Sequence, residues 1–285
     1  MVGPVTLAVV LGLLIGSFLN VVVHRLPKMR EKQWDSECAE HMAVQAGKEY
    51  TALPPELTLS KPRSRCPHCG HQVRWFENIP VISWLFLRAK CASCSKPISM
   101  RYPLVEVATG ALFGWCIHQW GLTATGVAWC FFSAMLLALA LIDWDTTYLP
   151  GDLTLPLLWA GLVAAALGWT AVAVTDAIWG AVAGYLSLWS VYWLFKLVTG
   201  KEGMGYGDFK LFAALGVWFG WQALVPIILI SSVIGAVVGI GMKFTAGLRE
   251  GGYIPFGPSL AGAGFLVMLC GEQAIMRTLL GALGL

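Results

Sequence analysis

Residues 131–145 read Phe-Phe-Ser-Ala-Met-Leu-Leu-Ala-Leu-Ala-Leu-Ile-Asp-Trp-Asp, an uncharged apolar run that stops on an acid. Such a run is the core of a membrane helix, and Asp143 stands where a carboxylate begins to lose its hydration. An ionisable group there needs a partner, a proton or a water-filled cavity, and marks a functional site. A second acid occupies a matching place, because Gly205-Tyr206-Gly207-Asp208 lies between two other hydrophobic stretches. Brought together, the two carboxylates would share one proton, since like charges a few ångströms apart cannot both ionise cheaply. That is the chemistry of an aspartic protease, set at a membrane surface.

The composition agrees with a membrane protein. Hydrophobic residues make up 57% of the 285 and charged residues 12%, against about 25% charged in a water-soluble domain. Fourteen Trp and 32 Gly suit interfacial belts and close helix contacts. The net charge of +3 points to no nucleic-acid partner, because 13 of the 19 Lys and Arg fall in residues 24–101. The first apolar stretch, Val2 to Val23, has no basic residues before it and no small-residue cleavage site; Arg25, Lys28 and Arg30 follow it. It reads as an anchor with its C-terminal end in the cytoplasm.

Residues 24–101 then read as a cytoplasmic domain inserted between the first two membrane helices. Further apolar runs lie near Pro103–Trp120, Thr125–Ile142, Leu153–Trp169, Ala177–Val198, Phe209–Gly220, Ala223–Met242 and Phe256–Leu280. The expectation is an all-α polytopic membrane protein of about eight transmembrane helices: an anchor over 1–23, the cytoplasmic domain over 24–101 and a seven-helix membrane domain over 102–285. The run Phe209–Gly220 is short against the ~20 residues a spanning helix needs. With the N-terminus outside, the connections that hold Lys196, Lys201, Lys210, Lys243 and Arg249 or border them all fall inside. The opposite connections, near 121–124, 170–176 and 221–222, hold no Lys or Arg. Asp143 and Asp208 are thereby predicted on one side, the cytoplasmic one. Residues 31–60, with Pro54-Pro55, read as a flexible or loosely helical insertion, and no internal repeat is visible.

Cys66-Pro-His-Cys69 and Cys91-Ala-Ser-Cys94 are two CxxC knuckles. Four thiolates suit tetrahedral zinc, and the spacing is that of a zinc ribbon. Disulfides or a redox pair are the alternatives; cytoplasmic placement argues against stable disulfides, and no thioredoxin-like pattern surrounds the motifs. The expected zinc is structural, with Cys66, Cys69, Cys91 and Cys94 as ligands and His68 and His71 outside the ligand set. Cys116, Cys130 and Cys270 read as small packing residues.

Asp145 competes with Asp143. Two residues apart on a helix, their side chains point about 200° from each other, and Asp143, abutting Leu141-Ile142, is the more desolvated. Asp145 is left as a substrate-contact candidate. Asp152, after Pro150-Gly151, reads as a helix N-cap. Gly205 and Gly207 would let a substrate backbone approach Asp208; the plainer reading makes the segment a turn whose Asp caps the next helix. Glu106, one turn into the second membrane helix, could snorkel, pair with Arg101 or line the active site. Gly12/Gly16, Gly180/Gly184 and Gly235/Gly239 are most simply packing contacts.

Taken together, Gly16-Ser-Phe-Leu-Asn-Val-Val-Val-His-Arg-Leu-Pro27, the two CxxC knuckles, Glu77-Asn-Ile-Pro80, Arg101-Tyr-Pro-Leu-Val-Glu106, Ile142-Asp143, Leu153–Trp159, Gly203-Met-Gly-Tyr-Gly-Asp-Phe-Lys210 and Pro255-Phe-Gly-Pro258 resemble the type IV prepilin peptidases. These are bifunctional leader peptidases and N-methyltransferases of the GxGD aspartic protease group. The resemblance runs almost end to end. It implies a multi-pass enzyme of the bacterial inner membrane whose partners are prepilins and the pseudopilins of type II secretion. It also implies cleavage after Gly on the cytoplasmic face, then methylation of the new N-terminal amine from S-adenosylmethionine. The family's catalytic aspartates fall on Asp143 and Asp208. One departure is visible, Gly151 where the family commonly has the Asp of Leu-Pro-Asp, with Asp152 one place later. No GxGxxG unit for a cofactor is present, and the resemblance names no residue for S-adenosylmethionine. A transporter using Asp143, Asp208 and Glu106 would call for broken helices or pseudo-symmetric halves, and a scaffold for a secretion machine would leave the acids dispensable.

Overall fold

The computed structural model describes residues 2–47, 57–245 and 255–282. Pro54-Pro55 and Arg249 lie outside them. Among the described residues the regular elements are all helices, the only strand-like pairings being two isolated bridges, and the chain divides into two compact units, 1–119 and 120–285.

In the first unit α1 (Val2–Gln45) does not stop where the apolar run stops. Residues 28–45 are rich in Glu, Lys, Gln, Ala and Met, all good helix formers, so the helix continues as a water-facing rod, and Pro27 lies inside it. The expected loose insertion is thus regular helix up to Gln45. Helix α3 (Arg101–Trp120) packs on α1 through small residues. A Cβ on Gly12 would stand 2.8 Å from the Gly110 Cα, and one on Gly16 would stand 2.7 Å from the Glu106 Cα. Between α1 and α3 come a short 3₁₀ turn (Trp75–Asn78) and α2 (Ile82–Phe86).

The second unit is built around α7 (Tyr206–Phe219). Every residue from Asp208 to Trp218 except Lys210 is buried, so this short helix needs no lipid contact of its own. It is sheathed by α4 (Ala124–Thr146), α5 (Gly151–Ala166), α6 (Val174–Thr199) and α9 (Gly257–Cys270). Gly180 and Gly184 on α6 meet Gly216, Phe212 and Ala213 backbone to backbone. The gap at Gly161 on α5 admits the Trp218 indole, whose Nε1 donates to the Leu157 carbonyl at 2.9 Å. Trp129, Phe132, Trp218 and Phe219 close that end of the bundle, with ring centroids 5.0 to 5.5 Å apart. Helix α8 (Leu224–Thr245) exposes Val225, Leu229, Val233, Val237 and Ile240 along one face, an apolar stripe of the kind a lipid-facing helix carries.

Among the described residues four helices are long and apolar enough to cross a membrane, and a fifth span is available if the bent pair α9 and α10 (Glu272–Ala282) counts as one. The expected single helix Phe256–Leu280 is broken: the chain turns through 105° there, and Gly271 has φ +79°, a left-handed residue that ends α9. Helices α5 and α7, with 16 and 14 residues, are short for spans. Asp152 does not cap α5; Pro150 holds the N-cap position in extended conformation and Asp152 lies inside the first turn. Proline presets the dihedral of its own position, and the helix starts directly behind it.

The tightest contact gives a prediction. A Cβ on Gly180 would lie 2.0 Å from the Gly216 carbonyl oxygen, whereas one on Gly3 meets nothing within 4 Å. Gly180→Ala is expected to destabilise by about 3 kcal/mol, the upper end of overpacking costs, and Gly3→Ala hardly at all. Thermal unfolding of the two variants in detergent measures the difference.

Candidate active site and metal centre

Three helix ends of the second unit bring the acids together. Asp143 sits in the last turn of α4, which stops at Thr147, a left-handed residue whose N–H donates to the Asp143 carbonyl at 2.8 Å. Asp208 is the third residue of α7, just past Gly205. Both are buried, Asp143 to 4% exposure and Asp208 to 8%, and the charge of Asp143 acts directly on Asp208. Asp145 is exposed, as opposite faces of one helix end require.

Each carboxylate is held by a backbone N–H. Gly257 N–H, at the start of α9, donates to Asp143 Oδ2 at 2.9 Å, and Gly205 N–H donates to Asp208 Oδ2 at 3.3 Å. Asp208 therefore does cap α7, as the plainer reading had it, but with one oxygen. Its other oxygen, Oδ1, is buried without a hydrogen-bond partner. An orphaned buried oxygen is costly, and the cost disappears if it carries a proton or meets a water or substrate group.

Sequence reasoning missed Gly257. A Cβ there would stand 2.6 Å from Asp143 Oδ2, so only glycine admits the carboxylate. The signal was its place between Phe256 and Pro258 at the head of an apolar run, but a backbone donor leaves no mark in residue type. Gly205 faces open space apart from Asp208 itself, while Gly207 is pressed on Leu149, whose Cβ a substituent would meet at 2.5 Å. The loop that presents Asp208 is tied down by an ion pair, Lys196 Nζ to Glu202 Oε1 at 2.8 Å.

Glu106 belongs to the first unit. It is buried, and its Oε2 accepts the Val81 N–H at 2.8 Å, with Ser17 a second donor. Val81 has φ +59° and ψ −48°, a region a β-branched residue rarely enters, and Ile82 N–H reaches across it to the Pro80 carbonyl. The carboxylate thus fixes a strained turn, a contact the sequence did not suggest.

The four cysteines converge. Sγ of Cys66 and Cys94 are 3.8 Å apart, those of Cys69 and Cys91 are 4.0 Å apart, and all four lie within 4.8 Å of one another. Four sulfurs each ~2.3 Å from one ion stand about 3.8 Å apart, so the cage fits zinc. It is made by one hairpin used twice: Cys66 N–H bonds the His71 carbonyl as Cys91 N–H bonds that of Lys96, and Gly70 and Ser95 both take positive φ. That repeat, 25 residues apart, corrects the expectation of none; so short a unit shows in sequence only as CxxC. Backbone N–H groups of His68 and Cys69 pull the Cys66 thiol down to about 6, and those of Cys94 and Ser93 lower Cys91. Cys94 is pushed up to about 11 despite the Lys96 N–H, because burial and three neighbouring sulfurs resist another charge. His71 bonds Glu77 at 3.1 Å instead of joining the cage, and His68 is exposed.

Comparisons with known proteins follow the same division. The Bacterial Peptidase A24 N-terminal domain matches residues 10–120, and the Type IV leader peptidase family matches residues 130–240. A prepilin leader peptidase/N-methyltransferase of Stutzerimonas stutzeri is 54% identical over 93% of this chain and 90% of its own length. Proteins of the same name are 52% identical in Pseudomonas aeruginosa, over 95% and 92% of the two chains, and 50% identical in Aeromonas hydrophila, over 94% and 91%. No solved structure matches.

Purified protein is expected to contain one zinc per chain. Cys69→Ser is expected to lower that occupancy and to open residues 60–100 to proteolysis, as loss of a ligand loosens a metal-nucleated fold. Elemental analysis and limited proteolysis check both.

Proposed function

The chain belongs to the type IV leader peptidase family, and from that we propose that it is a membrane-embedded aspartic endopeptidase of type IV prepilins and type II secretion pseudopilins, and the N-methyltransferase of the cut product. We read it as a multi-pass protein of the bacterial inner membrane, with eight apolar helices in the bilayer and its active site toward the cytoplasm. The observation that carries the proteolytic reading is the pair Asp143 and Asp208: both buried, each held by one glycine N–H, and one of them with an unbonded oxygen.

In this reading one proton serves both acids. The ionised carboxyl takes a proton from water as the water oxygen bonds the scissile carbonyl carbon, and the protonated partner gives its proton to the carbonyl oxygen. Collapse of the tetrahedral species returns one hydroxyl proton to that partner, while the departing amide nitrogen takes the proton drawn from water, so the pair again holds one proton. The open flank of Gly205 leaves room for an extended substrate backbone next to Asp208, and Asp145, exposed at the end of α4, would touch substrate. Zinc on Cys66, Cys69, Cys91 and Cys94 would be structural, because four protein ligands leave no open position. S-adenosylmethionine, when bound, supplies a methyl group on sulfonium to the free amine.

Asp143→Asn and Asp208→Asn are each expected to abolish cleavage of a purified prepilin while leaving the melting temperature near that of wild type. Asp145→Asn keeps most activity. A dead Asp145→Asn beside an active Asp143→Asn would reverse the assignment of the first acid.

Methylation needs an amine that exists only after cleavage, so chemistry imposes the order. Asp208→Ala should leave full-length prepilin unmethylated yet add one methyl to a substrate supplied already cut. Mass spectrometry of pre-cut pilin with that variant and S-adenosylmethionine reads the outcome; no mass gain, where wild type adds a methyl, would mean that both activities need Asp208.

A further inference from the structure

A cavity of about 640 Å³ in the first unit takes no part in the chemistry above. Its floor is Phe18 and Val21 of α1, inside the apolar run, and Arg25, Arg63 and Arg74 stand around it with Ser60 and Ser64. No acid lines it. The nearby Glu77 is occupied by the Arg74 N–H at 2.9 Å and by His71, which hold it below the usual carboxylate range. At 1.5 Å of rise per residue, Phe18 lies roughly 10 Å below Arg25, so the cavity spans the depth at which hydrocarbon gives way to headgroups.

Beside the cavity is a surface that water should not face. Trp75 is 81% exposed and Phe86 is 84% exposed, with Phe76, Ile79, Ile82 and Leu85 exposed between them. Aromatic and aliphatic side chains on a cytoplasmic segment next to a basic pocket are the two halves of an interfacial membrane-binding site. We propose that residues 58–88 form a headgroup-reading module: Arg25, Arg63 and Arg74 hold the phosphate of an anionic phospholipid, and Trp75, Phe76, Ile82, Leu85 and Phe86 enter the cytoplasmic leaflet beside it. The occupant is lipid because the floor is a membrane helix and, among the described residues, the charges around it are all positive. Two anchors keep this module rigid: the Glu77 bonds behind Trp75–Asn78, and the Glu106 carboxylate on Val81. The proposal requires a membrane protein but not the peptidase reading.

The test uses the delipidated full chain in neutral detergent, with phosphatidylglycerol and phosphatidylcholine titrated by native mass spectrometry. Phosphatidylglycerol should bind in clear preference. Arg63→Gln with Arg74→Gln should weaken it about 25-fold, at about fivefold per arginine near a headgroup, while Lys201→Gln with Lys243→Gln, removing equal charge elsewhere, changes it less than twofold. Arg25 is spared because its Nη1 bonds the Thr58 carbonyl at 2.9 Å and holds the segment itself. In nanodiscs, amide exchange over residues 75–88 should be slower with phosphatidylglycerol than with phosphatidylcholine alone, and Trp75→Ser with Phe86→Ser should remove the difference. Equal losses in the two charge pairs would reduce the effect to diffuse attraction and overturn the site. Displacement of the lipid by inorganic phosphate, with exchange over 75–88 indifferent to bilayer composition, would make it a soluble-anion pocket and also overturn it. The wild-type exchange comparison decides the case even if the arginine pair fails to fold.

Discussion

Two carboxyl groups must be buried at one end of a helix bundle, and the second unit is arranged to make that tolerable. Among the described residues, the groups that act on Asp208 are the Asp143 carboxyl and the Gly205 N–H, with no lysine or arginine among them. A cation would stabilise two ionised acids and remove any reason to share a proton. A neutral N–H stabilises one oxygen and leaves the proton count open. This requires helix ends, since only there do backbone N–H groups lack an intrahelical partner. The ends of α4, α7 and α9 meet because α7 is short and buried, its Gly216 against Gly180, its Trp218 in the gap at Gly161.

What the sequence made legible follows from what residue type controls. Hydropathy and depth picked out Asp143 and Asp208, since a charge at the edge of an apolar run costs free energy whatever the fold. Opposite helix faces separated Asp143 from Asp145, and the structure buries one and exposes the other. Helix ends were less legible. Hydropathy reports the solvent and not the backbone, so the end of the apolar run at Val23 said nothing of a helix that continues to Gln45. The break at Gly271 lay within a uniformly apolar run, where one left-handed glycine outweighs its neighbours. Backbone partners were not legible at all. Gly257 N–H on Asp143 and Val81 N–H on Glu106 are donors that every residue but proline possesses.

The first unit shows the same economy in a different setting. Its hairpins would have little reason to close, having one isolated bridge each and few buried side chains. A dication held by the four sulfurs would supply the missing cohesion, which is how small domains without a core are held. From Cys66 the order passes outward by bonds: its N–H to the His71 carbonyl, the His71 ring to Glu77, and Glu77 to the Arg74 N–H that starts the 3₁₀ turn. The strained Val81 is fixed from the other side by α3, through Glu106. A metal held by the four sulfurs would therefore help decide where Trp75–Asn78 stands.

Asp208 poses a conflict between two duties that usually belong to different residues. As the third residue of a helix it satisfies an orphan N–H, and such a carboxylate is favoured in its ionised form by the helix end. As one of the buried pair proposed to share a proton, it would have to accept one at modest cost. Dividing the duties between its two oxygens resolves this, for Oδ2 takes the Gly205 N–H while Oδ1 remains unbonded. The long 3.3 Å contact fits that compromise, since a shorter bond would hold the charge more firmly on the carboxyl. Gly205 has φ −84°, which any residue adopts, so its backbone conformation does not demand glycine. What a side chain there would change is the space in front of Asp208, since a Cβ would meet only Asp208 Oδ2, at 3.7 Å, and the Gly207 N, at 4.0 Å. Glycine at 205 is thus best understood by what it leaves clear, and glycine at 257 by what it lets in.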